Sequence, residues 1–205
     1  MPDAGRRSIL ALDLGSTRLK AGLFDAALQL AALESRPTGV AHDEAGGARV
    51  DPAPWLESVT GLLDAVHDRL PGPVQAVAVT GAWHSMLGVG LDGRPVTPAY
   101  TWEDSTGLAA VPRLATLLDA GDYHQRTGAF VHPSFWPPRL LALGAGSARA
   151  WRGLPEWLVA RLTGVDAVSP SMAGGTGLYR LAAGTWDGET LAAVGLAEGQ
   201  LAPLR

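Results

Sequence analysis

Apolar residues fall in short runs at the start of the chain. Ile9, Leu10, Leu12 and Leu14 make Ser8–Leu14 a short buried strand, interrupted near its end by Asp13. A polar turn, Gly15-Ser16-Thr17, leads into a second strand over Leu19–Phe24. Asp25-Ala26 makes the next turn, and Leu28–Leu33 continues the run as an antiparallel meander. Pro37–Arg49 is polar and glycine-containing and reads as a surface loop. Asp51-Pro52 then has the form of a helix start, an N-cap carboxylate followed by proline in the first turn. Trp55, Val59, Leu62, Leu63, Val66 and Leu70 recur at helical spacing until Pro71-Gly72-Pro73 stops the helix. Val74–Thr80 is apolar at alternate and intervening positions and reads as a buried strand. Meander, helix and strand together predict a mixed α/β domain around a central sheet.

Beyond Trp83 the pattern is less regular. A helix is expected over Leu108–Leu118 with Pro112 in its first turn, and shorter ones over Pro138–Leu143 and Glu156–Leu162, the last ended by Thr163-Gly164. The C-terminal third, with scattered glycines and short helical pieces, reads as an excursion from the sheet.

Composition narrows the function classes. A length of 205 residues suggests one domain, or one and a half. The absence of cysteine excludes disulfides, thiolate metal sites and cysteine nucleophiles. A net charge of −4, with no basic run beyond Arg6-Arg7, argues against a nucleic-acid surface. No apolar stretch approaches the roughly 20 residues needed to cross a bilayer, so no membrane partner and a cytoplasmic location are expected. Sixteen side chains are Lys or Arg, and only Lys20 is lysine.

Gly88-Val89-Gly90-Leu91-Asp92-Gly93 spells a dinucleotide fingerprint, but Pro95 and Pro98 leave no room for the helix that motif must open. Leu91–Arg94 reads instead as a hairpin turn. The five histidines, His42, His67, His84, His124 and His132, lack metal-ligand spacing, and no G-x-S-x-G elbow is present. The strongest signal is Asp13-Leu14-Gly15-Ser16-Thr17-Arg18-Leu19-Lys20. Turn N–H groups and hydroxyls can hold phosphate oxygens, Lys20 can neutralise them, and Asp13 can hold a hydrated Mg²⁺. The same residues also make a plain polar hairpin with Asp13 bonded to its own turn, and on the residues alone the two readings stand level. A second constellation, Thr80-Gly81-Ala82-Trp83-His84-Ser85 followed by Tyr100-Thr101-Trp102-Glu103-Asp104, suits a polyhydroxylated ligand. Aromatic rings cover C–H faces while His and Asp bond hydroxyls; aromatics plugging the edge of the core is the alternative reading, of equal weight for Trp102 and less for His84 and Asp104.

In this order the pieces resemble the N-terminal domain of the FGGY carbohydrate kinases, of the gluconokinase- and xylulokinase-like branch. Asp13–Lys20 is similar to the family's first phosphate motif, Gly81–Ser85 to its G-Q-M-H-[GS] loop, and Thr101–Asp104 to its T-W-x-D segment. Leu91–Val96, Tyr123–Pro138, Arg161–Gly164, Ala173–Leu178 and Thr185–Asp187 follow in the family's order. The resemblance implies a ribonuclease H-like (actin-like ATPase) α/β fold with a mixed sheet flanked by helices. It implies ATP and Mg²⁺ as cofactors and transfer of a phosphoryl group to a primary hydroxyl of a sugar or sugar acid, gluconate or xylulose first.

By the same resemblance, Asp13 would hold Mg²⁺ through water, and Gly15, Ser16, Thr17 and Lys20 would meet the phosphoryl group. Trp83, His84, Asp104, His132 and Ser134 would line the sugar pocket. The general base, an Asp, is expected beyond Arg205, and Asp166 and Asp187 are poor replacements. Residues 1–205 are thus expected to be a sugar-binding domain without its last segment and without an ATP-binding C-terminal domain. That domain would be supplied in cis or in trans, the chain alone would be inactive, and a homodimer is a further partner expectation. Three positions depart from the family pattern: Ala82 for Gln, Trp83 for Met, and Thr106 for Arg. They keep open a non-catalytic sugar- or phosphate-binding module, or a subunit of a split kinase.

Overall fold

The computed structural model describes residues 8–69 and 72–205. Along the chain run β1 (Ser8–Leu14), β2 (Arg18–Phe24), β3 (Leu30–Pro37), β4 (Ala41–His42), β5 (Ala48–Val50), α1 (Pro52–His67) and β6 (Val74–Gly81). There follow β7 (Leu87–Val89), β8 (Ala99–Tyr100), α2 (Val111–Leu117), α3 (Ala120–Thr127) and α4 (Trp136–Leu143). The chain ends with β9 (Ala150–Arg152), α5 (Leu154–Thr163), α6 (Pro170–Gly174), β10 (Tyr179–Arg180), β11 (Thr185–Trp186) and α7 (Gly188–Val194). These elements gather into two compact units, residues 8–40 with 51–69 and 72–82, and residues 41–50 with 83–205.

The first unit is a four-stranded mixed sheet in the order β3-β2-β1-β6, with β6 parallel to β1 and the other pairs antiparallel. Its register explains its two faces. Leu12 lies opposite Ala21 and Leu14 opposite Leu19, and all four are buried. Strand alternation therefore sends Asp13 and its cross-strand neighbour Lys20 to the other face. α1 packs on β2 and β3 through Trp55, Val59, Leu62 and Val66. Asp51 caps it by accepting from the Ala53 N–H at 3.0 Å, as its position before Pro52 predicts. Leu70 and Pro71, and Arg6-Arg7, lie outside the described residues.

Two expectations need correction here. β3 begins at Leu30, because Asp25 accepts from the Ala27 and Gln29 N–H groups and Leu28 adopts φ 60° in that turn. β6 is a strand but not a buried one: Val77 is 55% exposed and Val79 40%. It is one of the sheet's two edge strands, and among the described residues no further strand pairs with its second edge.

The second unit holds a large apolar cluster that includes Met86, Leu114, Tyr123, Leu140, Trp151, Leu178 and Trp186. Short strand pairs, β4-β5-β8, β7-β9 and β10-β11, frame it. β4 and β5 fall inside the segment expected to be loop and fold back on β8. Gly90 to Arg94 is a hairpin turn closed by Gly90 N–H to Arg94 O at 2.8 Å, with no helix after it. The dinucleotide reading of that motif has no structural basis.

Candidate functional site

In the first unit the candidate phosphate turn joins β1 to β2. A Cβ at Gly15 would lie 2.9 Å from the Arg18 carbonyl oxygen, so the close return of the chain requires glycine. Thr38, itself buried, braces the turn: its hydroxyl donates to Gly15 O at 2.7 Å and its N–H to Thr17 O at 3.1 Å. Two of the turn's carbonyl oxygens are thereby tied to Thr38, while Thr17 is exposed and Ser16 half-buried. Beside the turn, Lys20 Nζ lies 3.0 Å from Asp13 Oδ2, with both side chains close to half-exposed. Asp13 bonds across the strands instead of to its own turn. An exposed pair of this kind contributes only about 0–1 kcal/mol, so stability alone gives little reason for it.

A Mg²⁺ ion held chiefly by phosphates and water needs one or two protein carboxylates. Asp13 offers one, accessible and at a strand end, and so fits a water-mediated role. No cluster of three or more His, Asp or Glu side chains suited to a metal occurs among the described residues.

The second unit carries the other constellation. Trp83 and Trp102 are 50% and 48% exposed, each on its own loop. His84 has φ 66°, a left-handed conformation that is uncommon outside glycine and costs a side chain on the order of 1 kcal/mol. Its Nδ1 lies 2.5 Å from Gly175 O, and its ring meets the Phe135 ring edge-on at 4.6 Å. A carbonyl can only accept, so Nδ1 carries the proton and Nε2 is left as an acceptor. Burial lowers the His84 pKa, and the Arg139 charge acts in the same direction; both outweigh the Gly175 bond, which raises it, so the ring is held toward its neutral form.

Asp104 is buried, and its carboxylate is consumed by its own neighbourhood. It accepts from Ala48 N–H at 2.9 Å, Arg49 Nε at 3.1 Å and Thr106 N–H at 2.9 Å. Arg49 also donates to the Thr106 hydroxyl at 3.4 Å, so a guanidinium from β5 stands beside the position where the sequence lacks an arginine. His132 and Ser134 share an exposed loop, where Ser134 Oγ donates to Trp102 O at 2.8 Å and His132 Nδ1 accepts the Ser134 N–H at 3.2 Å. The Ser134–Trp102 bond links this loop to the one bearing Trp102.

Sequence reasoning missed Arg139 and Glu156. Arg139 is fully buried on α4, and its guanidinium donates to His84 O at 2.7 Å, to Thr101 O, and to Asp104 O at 3.4 Å. An arginine at position i with Trp136, Leu140 and Leu143 at i−3, i+1 and i+4 was the available signal: it sits on the apolar face of its helix. Glu156, in the first turn of α5, is buried beside the same loop, where Ser85 Oγ accepts the Leu154 N–H at 3.1 Å. Desolvation pushes its carboxyl up to about 7. Trp136, Trp151, Met172, His84, Ser85 and Glu156 line a cavity of about 20 Å³, room for one water.

The remaining candidates have structural roles. Asp187 caps α7 through Thr190 and pairs with Arg126. Burial alone would raise its carboxyl, but Arg126 and Thr190 hold it below the usual range. Asp166 pairs with Arg152 at 2.6 Å and His42 with Glu103 at 3.0 Å. No described helix is long and apolar enough to cross a membrane.

Residues 8–205 match the family model described as "FGGY family of carbohydrate kinases, N-terminal domain". A gluconokinase of Bacillus subtilis is 23% identical over 203 residues, covering 96% of this chain and 40% of the relative. A glycerol kinase of Thermus brockianus is 30% identical, covering 96% of this chain and 43% of the relative. The crystal structure of a ligand-bound xylulose kinase from Lactobacillus acidophilus superposes with a TM-score of 0.91 at 27% identity, over 97% of this chain and 42% of that one. The chain thus spans about 40% of the length of the curated gluconokinase it matches.

Proposed function

The chain belongs to the FGGY family of carbohydrate kinases, matching its N-terminal domain, and from that premise we propose that it holds the acceptor in ATP-dependent phosphorylation of a sugar, sugar acid or polyol hydroxyl. The observation that carries the reading is the Asp13–Lys20 pair, directly opposite in the β1/β2 register beside a turn braced by Thr38. A phosphoryl group entering beside the turn would take Lys20 as counter-charge, and the Gly15, Ser16 and Thr17 N–H and hydroxyl groups as donors. Asp13, released from Lys20, would hold Mg²⁺ through water, and the metal would neutralise phosphate charge.

On the acceptor side, Trp83 supplies an apolar face, and neutral His84 offers Nε2 to a hydroxyl. His132 and Ser134 are assigned to the same pocket. Asp104 serves it by fixing the loop, since its carboxylate is already bonded inward. Gluconate, xylulose and glycerol, the acceptors in the relatives' names, are the compounds to try first.

Assaying the complete gene product with ATP and these acceptors tests the reading. Lys20→Met and Asp13→Asn should each lower kcat at least 100-fold while acceptor affinity changes less than threefold. Variants as active as the parent would sink the phosphate assignment. A second reading, a binding module that transfers nothing, is favoured by one observation: the Lys20 ammonium is satisfied by Asp13. It predicts acceptor binding with no turnover in that same assay.

A further inference from the structure

A guanidinium with no exposed surface is a costly group to keep in an apolar cluster unless its donors are used. Arg139 has no carboxylate within ion-pair distance among the described residues. Its two terminal nitrogens donate instead to three backbone carbonyls, one from the loop bearing Trp83 and His84 and two from the loop bearing Trp102, while Nε meets no acceptor among the described residues. Packing alone would be served by a leucine or methionine at this helix position. A planar fork with several fixed donors is what bridging two separate loops requires.

We infer that Arg139 is a positioning residue for the acceptor site: its single guanidinium ties the His84 carbonyl to those of Thr101 and Asp104, fixing the spacing of the two tryptophan-bearing loops. The inference rests on the reading above that these loops hold the acceptor. The clamp also explains how His84 keeps its left-handed backbone. Its carbonyl is held by Arg139 and its ring by Gly175, so the strained conformation is fixed from both ends. Lysine at this position would keep a cation but lose the fork. Its compact ammonium cannot reproduce the planar spread of donors across both loops.

The test uses the 205-residue chain and its Arg139→Lys variant. Two readouts are followed: the NMR resonance of the His84 ring, assigned by its loss in His84→Gln, and calorimetric titration with gluconate, xylulose and glycerol. Positioning predicts a folded variant by circular dichroism, a shifted His84 resonance, and at least tenfold weaker binding of whichever acceptor the parent binds. An unmoved resonance overturns the inference whatever happens to binding. A moved resonance with unchanged affinity overturns it equally. If the parent binds none of the three while the resonance moves, the acceptor reading fails and the clamp between the loops stands. Should Arg139→Lys fail to fold, Gly107→Ala replaces it. A Cβ there would sit 3.0 Å from Arg139 N and 3.1 Å from its Cγ, displacing the residue slightly without removing its charge. Gly146→Ala, with nothing within 4 Å, is the control. A His84 resonance in Gly107→Ala that matches the control contradicts the clamp.

Discussion

Glu156 shows how one buried carboxyl can set a pH dependence. Desolvation raises its pKa from 4.5 to about 7, so between those values the folded chain binds a proton that the unfolded chain has released. Stability therefore falls as pH rises through that window, and it levels off above about 7. The loss is on the order of 3 kcal/mol for a shift from 4.5 to about 7. Thermal melts from pH 4.5 to 8 should show the decline, and Glu156→Gln should flatten the part of it that Glu156 causes. A decline as steep in the glutamine variant would show that another group is responsible. The roles of Glu156 and Arg139 were hidden from sequence reading for a common reason, although the apolar helix face around Arg139 was visible in its spacing. Their roles depend on which carbonyls and loops the fold brings to them, and charge alone places neither. Lys20 and Asp13 were legible because strand periodicity fixes their shared face and the turn length fixes their pairing.

At the scale of elements, local signals were read well wherever both partners lie close in sequence. Asp51 before Pro52 marked the start of α1, and Gly164, left-handed at φ 75°, marked the end of α5. The α7 cap shows local capping combined with a distant partner. Asp187 accepts from Thr190 N–H and Oγ1 while pairing with Arg126 from α3. Because this carboxylate has no exposed surface, Asp187→Ala removes the cap and leaves Arg126 largely buried without its main partner. The expected cost is about 3 kcal/mol, measurable by urea unfolding. A cost below about 1 kcal/mol would mean that Glu189, 3.1 Å from Arg126, compensates. The β6 error has the opposite origin. Its apolar pattern correctly announced a strand designed for burial, but alternation says nothing about a strand's place in the sheet. Sheet order is a tertiary property.

At the scale of the whole molecule, β6 has a consequence for handling the chain. Among the described residues it presents an unpaired edge and exposed valines, the combination that natural sheets cover or charge to avoid edge-to-edge association. Residues 1–205 produced alone should self-associate with rising concentration, and Val77→Lys should reduce this in sedimentation velocity runs. A parent chain that stays monomeric at high concentration would show that the edge is innocuous. The family assignment rests on residues 8–205, but the site assignments divide between the two units. The phosphate turn belongs to one, and the tryptophan-bearing loops with Arg139 belong to the other. Each can be tested without assuming anything about the other.

Calorimetric titration of the 205-residue chain with gluconate, xylulose and glycerol asks whether the loops carrying Trp83 and His84 hold a polyhydroxylated acceptor. The prediction is that at least one binds with Kd in the millimolar range, about −4 kcal/mol. Trp83→Ala and His84→Ala should then weaken that binding at least tenfold with the fold intact. Binding unchanged in both variants, or none to any of the three compounds, would contradict it.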